Sequence, residues 1–402
     1  MPLTPTPPKN KNVFFVGLLS FFGGISQDVF VPILPIYLTT VLGFDKTFIG
    51  VAEGLVAASG NICKVIAGFF SDKFKKQKPI IFLGYFLSMV SRPLLAFVTS
   101  GAAVLGLRFL DGMGKGMKDP PKDVLIAGSA KKETRGKSFG IAHMLDTLGS
   151  VAGPLILFTI LYFIQGSVSL YHLILIFSAL PLLVTLLVLT LKVKEADGEN
   201  IANQPLASPQ QSPLPKSFYF FLGIIILFTL GNSSDAFLIL RARNLGVTLI
   251  HIPLIIALFN LVYAAAAVPF GSLSDRIGRI PTMLIGWICY ALVYLGFALV
   301  NNASFVWLLY AFYGIYYATS EGVAKAFLAD IVASGNRGKA FGIYGMTIGL
   351  TTLPASFFAG FLWDKFGPQA PFYFGAGMAG IAVLLLISFK KNITSARERQ
   401  KK

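Results

Sequence analysis

Five charged residues recur at steps of three and four within one otherwise apolar stretch: Arg108, Asp111, Lys115, Lys118 and Lys122. On an α-helix that spacing aligns all five along one face, a polar stripe that needs water or partners. Asp28, Glu53, Arg92, Asp146 and Asp235 interrupt other apolar runs. Ionisable groups in such surroundings are costly and mark a path for a solute or for protons. Glu321 and Lys325 stand four apart, close enough on a helix to pair with each other. Tyr310, Tyr313, Tyr316 and Tyr317 crowd the same run, a surface suited to a ring-bearing or amphipathic solute and equally to packing. His143 and Asp146, three apart, suit a proton relay or an internal hydrogen bond. No nucleophile–base constellation and no metal-ligand spacing is present, so the expected chemistry is binding and proton exchange, not catalysis, with no cofactor and no metal. Gly112-Met-Gly114-Lys-Gly116 imitates a phosphate-cradling loop, but no strand precedes it. Cys63 and Cys289 fall inside apolar runs and read as packing residues.

The elements that must position these groups follow from composition. Of 402 residues 55% are apolar and 13% charged, a balance that a water-facing shell does not sustain. Lipid must serve as solvent for much of the surface, and a bilayer core of roughly 30 Å needs about 20 apolar residues per helical crossing. Taking Gly, Pro and charge clusters as breaks predicts twelve spans, near 13–42, 47–70, 79–99, 102–129, 138–163, 170–191, 217–240, 247–270, 281–300, 303–332, 340–363 and 371–389. The start, MPLTPTPPKNKN, carries no small-residue cleavage site, so the first span is expected to stay as an anchor.

The net charge of +16 is unevenly spread. Loops and tails on the side of the termini hold 23 Lys and Arg, against Lys46, Arg241, Arg243 and Lys365 on the other side. The positive-inside rule then places both termini in the cytoplasm. The basic tail from Lys390 reads as an anchor beside anionic lipid and not as a nucleic-acid arm.

An internal repeat appears at an offset of 202 to 207 residues. Gly68-Phe-Phe-Ser-Asp72-Lys73 recurs as Gly271-Ser-Leu-Ser-Asp275-Arg276, and Arg135-Gly-Lys-Ser-Phe-Gly140 as Arg337-Gly-Lys-Ala-Phe-Gly342. Pro79 and Gly84 match Pro281 and Gly286, and Asp28-Val-Phe30 matches Asp235-Ala-Phe237. Residues 1–191 and 217–402 are thus two six-span halves of like orientation, joined by a solvated linker at 192–216.

These residues resemble the major facilitator superfamily over nearly the whole chain. The most specific part is Gly271-Ser-Leu-Ser-Asp275-Arg276-Ile-Gly278-Arg279; the N-terminal copy lacks the matching glycine after Lys73. The resemblance implies an all-α integral membrane fold of twelve helices in two six-helix bundles, with a parallel pseudo-twofold repeat. It also implies that Asp72 and Asp275 help latch the cytoplasmic side. Gly140, Gly149, Gly153 and Pro154 look like part of the pattern associated with exchangers, although Leu157 and Phe158 stand where its closing glycines belong; small residues at that spacing also allow close packing. In that fold the first and fourth helices of each half line a central cavity, which the stripe from Arg108 would face.

At about 1.5 Å per residue, counted from the cytoplasmic or the outer end of each span, Asp28, Glu53, Arg92 and Arg108 lie roughly 20–22 Å up and Asp111 about 15 Å, so the five are expected to share one layer. Asp28 and Asp235 are related by the repeat and are the first candidates for proton coupling or for a cationic group of the solute. The expected function is secondary active transport of a small organic solute, driven by the proton gradient, with export favoured. An uncoupled facilitator, or an uptake carrier for a metabolite or siderophore-type chelate, is the alternative. A monomer in the inner membrane, with solute, protons and lipid as its partners, completes the expectation.

Overall fold

The computed structural model of the protein describes residues 10–74, 76–130, 134–164, 168–195 and 213–399, which are helical nearly throughout, with no strand among them. The helices are α1 (Asn10–Phe30), α2 (Leu34–Thr40), α3 (Lys46–Phe74), α4 (Lys78–Leu94), α5 (Gly101–Ser129), α6 (Arg135–Phe163), α7 (Val168–Phe177), α8 (Leu180–Leu191), α9 (Lys216–Gly231), α10 (Ala236–Asn244), α11 (Ile252–Ile277), α12 (Arg279–Leu299), α13 (Ser304–Ile331), α14 (Arg337–Phe366) and α15 (Ala370–Arg399). Three pairs, α1 with α2, α7 with α8 and α9 with α10, are each one broken span, so the described residues form the twelve expected crossings.

The breaks correct the reading of spans 1, 6 and 7 as continuous. Span 1 opens at 31–33, where Pro32 has no N–H for the carbonyl of Asp28 and Pro35 none for that of Val31. Pro181 acts likewise in span 6, where the helix is interrupted at 178–179. Span 7 opens at Asn232-Ser233-Ser234-Asp235, residue types whose side chains compete with the helix for backbone hydrogen bonds.

The surface pattern is the reverse of that of a protein dissolved in water. Phe163 and Val268 are each 76% exposed, whereas Arg92 and Arg108 are 1% exposed and Asp111 is fully buried. Nine stretches among the described residues are long and apolar enough to cross a membrane. The other three spans, built on α4, α5 and α13, carry Arg92, the charged stripe, and Glu321 with Lys325. The protein is a multi-pass membrane protein with charged side chains buried inside and large apolar side chains exposed on its surface.

Contacts divide the described chain into two compact units. The first holds α1, α3 from residue 62, α4, α5, α6 to residue 157, α7 and α8; the second holds α2, α3 up to residue 61, the end of α6, and α9 to α15. The contact boundary therefore runs through α3 and α6 as well as the linker, of which residues 196–212 lie outside the described residues. In the first unit α4 packs along α5 and α1 along α8, around Val16, Leu19, Ile81, Tyr85, Leu125, Leu182 and Leu186. Glu195 accepts from the backbone N–H groups of Gln77 (3.1 Å) and Lys78 (3.0 Å), closing the open N-terminus of α4.

In the second unit the start of α3 lies against α14 almost backbone to backbone. A Cβ on Gly50 would stand 2.0 Å from the Ser356 carbonyl oxygen, one on Gly54 2.6 Å from Leu353 Cα, and one on Gly360 2.1 Å from the Lys46 carbonyl oxygen. At the end of this seam Asp364 accepts from the N–H groups of Lys46 (3.2 Å) and Thr47 (2.7 Å) and from the Thr47 hydroxyl (2.7 Å). That is the capping chemistry of a helix N-terminus, supplied by a residue more than three hundred positions away.

The repeat is visible in the packing. Gly84 on α4 fits against Gly114 and the Lys118 amide of α5, and Gly286 on α12 fits against Thr319 and Ser320 of α13, the same crossing displaced by the repeat offset. Gly112, Gly114 and Gly116 lie inside the continuous α5, so the apparent phosphate loop is helix.

Candidate functional site

The stripe on α5 meets its partners in the first unit. The buried Asp111 carboxylate takes Arg92 Nε on Oδ1 at 3.0 Å, and Arg108 Nη1 and Lys115 Nζ on Oδ2 at 3.1 and 3.6 Å. Arg92 spends its other nitrogens on Ser26 Oγ (2.6 Å) and Gln27 Oε1 (2.8 Å) of α1. Both guanidinium groups lie over the Phe30 ring, at 5.0 and 5.5 Å. One carboxylate thus organises three cations drawn from two helices, with an aromatic floor, in a setting where ion pairs hold only if hydrogen bonds complete them.

Asp28, half-buried on α1, accepts a hydrogen bond from Ser150 of α6, with Asp146, Lys115 and Arg92 in electrostatic range. The approach of α6 depends on its glycines. A Cβ on Gly149 would stand 2.2 Å from the Phe21 carbonyl oxygen and one on Gly153 3.0 Å from Asp28 Cβ. Gly149 and Gly153, with the buried Pro154 beside them, act as packing positions, while Gly140 faces open space.

The second unit builds a different site at the break in span 7. Asp235 stands one residue before α10, and its two carboxylate oxygens accept from Tyr313 (2.6 Å) and Tyr317 (3.1 Å) of α13. Asn232 donates to the Tyr316 hydroxyl (3.0 Å), and the Ser234 N–H to Ser356 Oγ (3.1 Å). Phe228 stacks on Trp287 with ring centroids 4.4 Å apart, and Phe259 and Tyr263 stand edge-on to Tyr317. The carboxylate is bounded by phenol hydroxyls and ring faces, a setting that can take a cationic or hydrogen-bond-donating group.

The structure brings Asp28, Arg92, Arg108, Asp111 and Asp146 into one neighbourhood. Glu53 belongs to the second unit, where it acts electrostatically on Asp235. Tyr313 touches Asp235, whereas Tyr310 is buried edge-on to Phe297. Glu321 and Lys325 pair with each other at 2.9 Å, both more than half exposed. Among the motif residues, Arg279 gathers Asp275 (2.6 Å), Asp330 (3.3 Å) and Ser274 Oγ (2.6 Å), tying the turn before α12 to the end of α13. Gly278 has φ +95°, a backbone state that a side chain would strain, and Gly271 faces open space. Arg337 donates to the Ala329 carbonyl at 3.1 Å, and Arg276 and Lys73 are exposed, Lys73 near the Phe69 and Phe74 rings. Gly68 lies near Pro120, while the side chains of Asp72 and Arg135 are outside the described residues. Ser26, Gln27, Ser150 and Asn232 were not singled out by sequence. The polar run Gly-Asn-Ser-Ser-Asp inside an apolar span was the available signal for Asn232; uncharged Ser and Gln on a helix give none.

The sequence pattern of the Major Facilitator Superfamily matches residues 16–240 and 219–402. An uncharacterised MFS-type transporter of Methanocaldococcus jannaschii is 36% identical over 384 residues, 94% of each chain. The quinolone resistance protein NorA of Staphylococcus aureus is 29% identical over 145 residues, 36% of this chain and 37% of that one. Among solved structures, a mutant of the nucleoside transporter NupG superposes with a TM-score of 0.80 over 94% of this chain and 99% of that one, at 15% identity. The chain therefore belongs to the Major Facilitator Superfamily, and it is a transporter of a small solute.

Proposed function

We propose that the chain is a proton-coupled secondary transporter that moves a small organic solute across the cytoplasmic membrane by alternating access, with both termini in the cytoplasm. The observation that carries the reading is the break in span 7 with Asp235 at its edge, held by Tyr313 and Tyr317. In membrane transporters an interrupted helix is tolerated where its freed backbone groups and flanking side chains serve a site. Proton exchange is assigned to Asp28, a half-buried carboxylate beside Ser150 and a second acid, Asp146. Export is supported by the partial glycine pattern from Gly140 to Pro154, which resembles the pattern associated with exchangers.

Purified protein in proteoliposomes tests the reading. Solute flux is expected to follow an imposed pH gradient and to move protons. The Asp28→Asn variant is expected to insert and fold but to lose solute-dependent proton movement. Unchanged coupling in that variant removes Asp28 from the role, and flux indifferent to the gradient in the parent protein establishes the uncoupled facilitator instead.

A further inference from the structure

One cation of the stripe stands apart from the ion pairs around it. Lys115 is engaged by Asp111, and Lys122 shares Asp119 with Lys64, at 3.4 and 3.3 Å. Lys118 lies between them on the same face of α5, half-buried, and among the described residues no carboxylate comes within 4 Å of its ammonium group. Its Nζ instead lies 5.0 Å above the centre of the Tyr85 ring.

That position is built. Tyr85 is 1% exposed, and its hydroxyl donates to the Leu19 carbonyl at 3.0 Å, which fixes the ring against α1. Gly23 makes room for it, since a Cβ there would stand 3.1 Å from the ring. Gly84, next in sequence to Tyr85, lets α4 approach until its own missing Cβ would be 3.2 Å from the Lys118 amide nitrogen. Lys122 lies near the same phenol and donates to Ser20 Oγ at 3.0 Å.

The charge around this wall does not balance. Arg92, Arg108, Lys115, Lys118 and Lys122, all buried or half-buried, face Asp28, Asp111 and Asp119; Lys64, Asp123 and Asp146 are exposed. Excess cations held in a membrane-embedded wall are costly unless something anionic joins them. The repeat-related position in the second unit is Ser320, so the surplus belongs to the first unit and not to the fold.

We propose that Lys118, seated on Tyr85 and flanked by Lys115 and Lys122, is the anchor for an oxyanion, a carboxylate or phosphate group, of the transported solute. The proposal rests on the reading of the chain as a solute carrier and names the solute's class: a molecule with at least one anionic group.

Thermal stability of the full-length protein in phosphatidylcholine nanodiscs is measured against inorganic phosphate, succinate and benzoate, each with a size-matched neutral compound. Anion-specific stabilisation is expected, with an apparent affinity about tenfold weaker in Lys118→Gln, kept in Lys118→Arg, and unchanged in Lys339→Gln, an exposed lysine at the start of α14. A parallel arm uses phosphatidylglycerol nanodiscs without soluble anion. Stabilisation there, with none from any soluble anion, assigns the oxyanion to a lipid headgroup and overturns the solute subsite. No anion effect in either arm, or equal effects in the parent and Lys118→Gln, overturns it as well. Because binding is read without flux, intact anion binding in a protein that fails to transport sinks the carrier reading and leaves the site standing.

Discussion

The Tyr290 hydroxyl donates to the Gly231 carbonyl oxygen at 2.8 Å, capping the last helical carbonyl before the break in span 7. In a continuous helix the N–H of Asp235 would donate to that carbonyl, but the chain turns away at Asn232. Within hydrocarbon an unpaired carbonyl costs several kcal/mol, so a side chain from α12 makes the break tolerable. Removing the hydroxyl in Tyr290→Phe is expected to lower stability by about 1 kcal/mol, read as a small drop in melting temperature of the detergent-solubilised protein. An unaltered melting curve would show that water serves the carbonyl equally well.

Asp235 is expected to matter more for transport than for folding. Asp235→Asn keeps the shape and one accepting oxygen, leaving the second tyrosine hydroxyl to accept from the amide NH2, but removes the charge, so initial solute flux in vesicles should fall at least tenfold at normal expression. Tyr313→Phe and Tyr317→Phe each remove one hydrogen bond to a carboxylate, a contribution of about 1.5–3 kcal/mol, and should cause smaller losses. Full flux in Asp235→Asn would exclude this carboxylate from the solute path.

Asp111 shows the opposite balance. Asp111→Asn leaves Arg92, Arg108 and Lys115 facing one another without their shared anion, a change expected to cost about 3–5 kcal/mol. Little folded protein should survive size-exclusion chromatography in detergent. Adding Arg108→Gln to Asp111→Asn removes one uncompensated cation and should recover part of the yield, because the two sites share one network. Two losses that simply add would argue against that coupling.

The seam between α3 and α14 is a steric prediction. Gly360→Val requires a side chain where the Lys46 carbonyl oxygen stands 2.1 Å from the Cβ position, so α3 must shift and the melting temperature should fall by more than for any other variant of the seam. Asp364→Ala removes only the cap on Lys46 and Thr47 and should cost about 0.5–2 kcal/mol. Equal effects from the two would mean that the backbone contact contributes little.

Much of the architecture was legible because it depends on averages over long windows. Twelve apolar runs, a repeated Gly-x-x-x-Asp motif and a charged stripe survive an error of a few residues at any boundary. The breaks were harder. Pro32 with Pro35, and Asn232 through Asp235, carry the signal, yet the apolar runs around them are long enough to read as single helices. Legibility also failed wherever partners came from distant segments. Helix rise fixes height along a span and not direction around it, and Glu53 lies within electrostatic range of Asp235. Gln27 and Ser26 became part of the Arg92 network through contacts some sixty-five residues away, which no local pattern announces.

Where α3 meets α14, the faces are peptide backbone at Gly50, Gly54 and Gly360. Interlocked side chains must each find their rotamer again whenever two surfaces meet, and that search carries an entropy cost for every ordered group. Bare backbone has no such search. A joint of this kind closes like two smooth plates, with its fit decided by three missing methyl groups and its end fastened by the single carboxylate of Asp364.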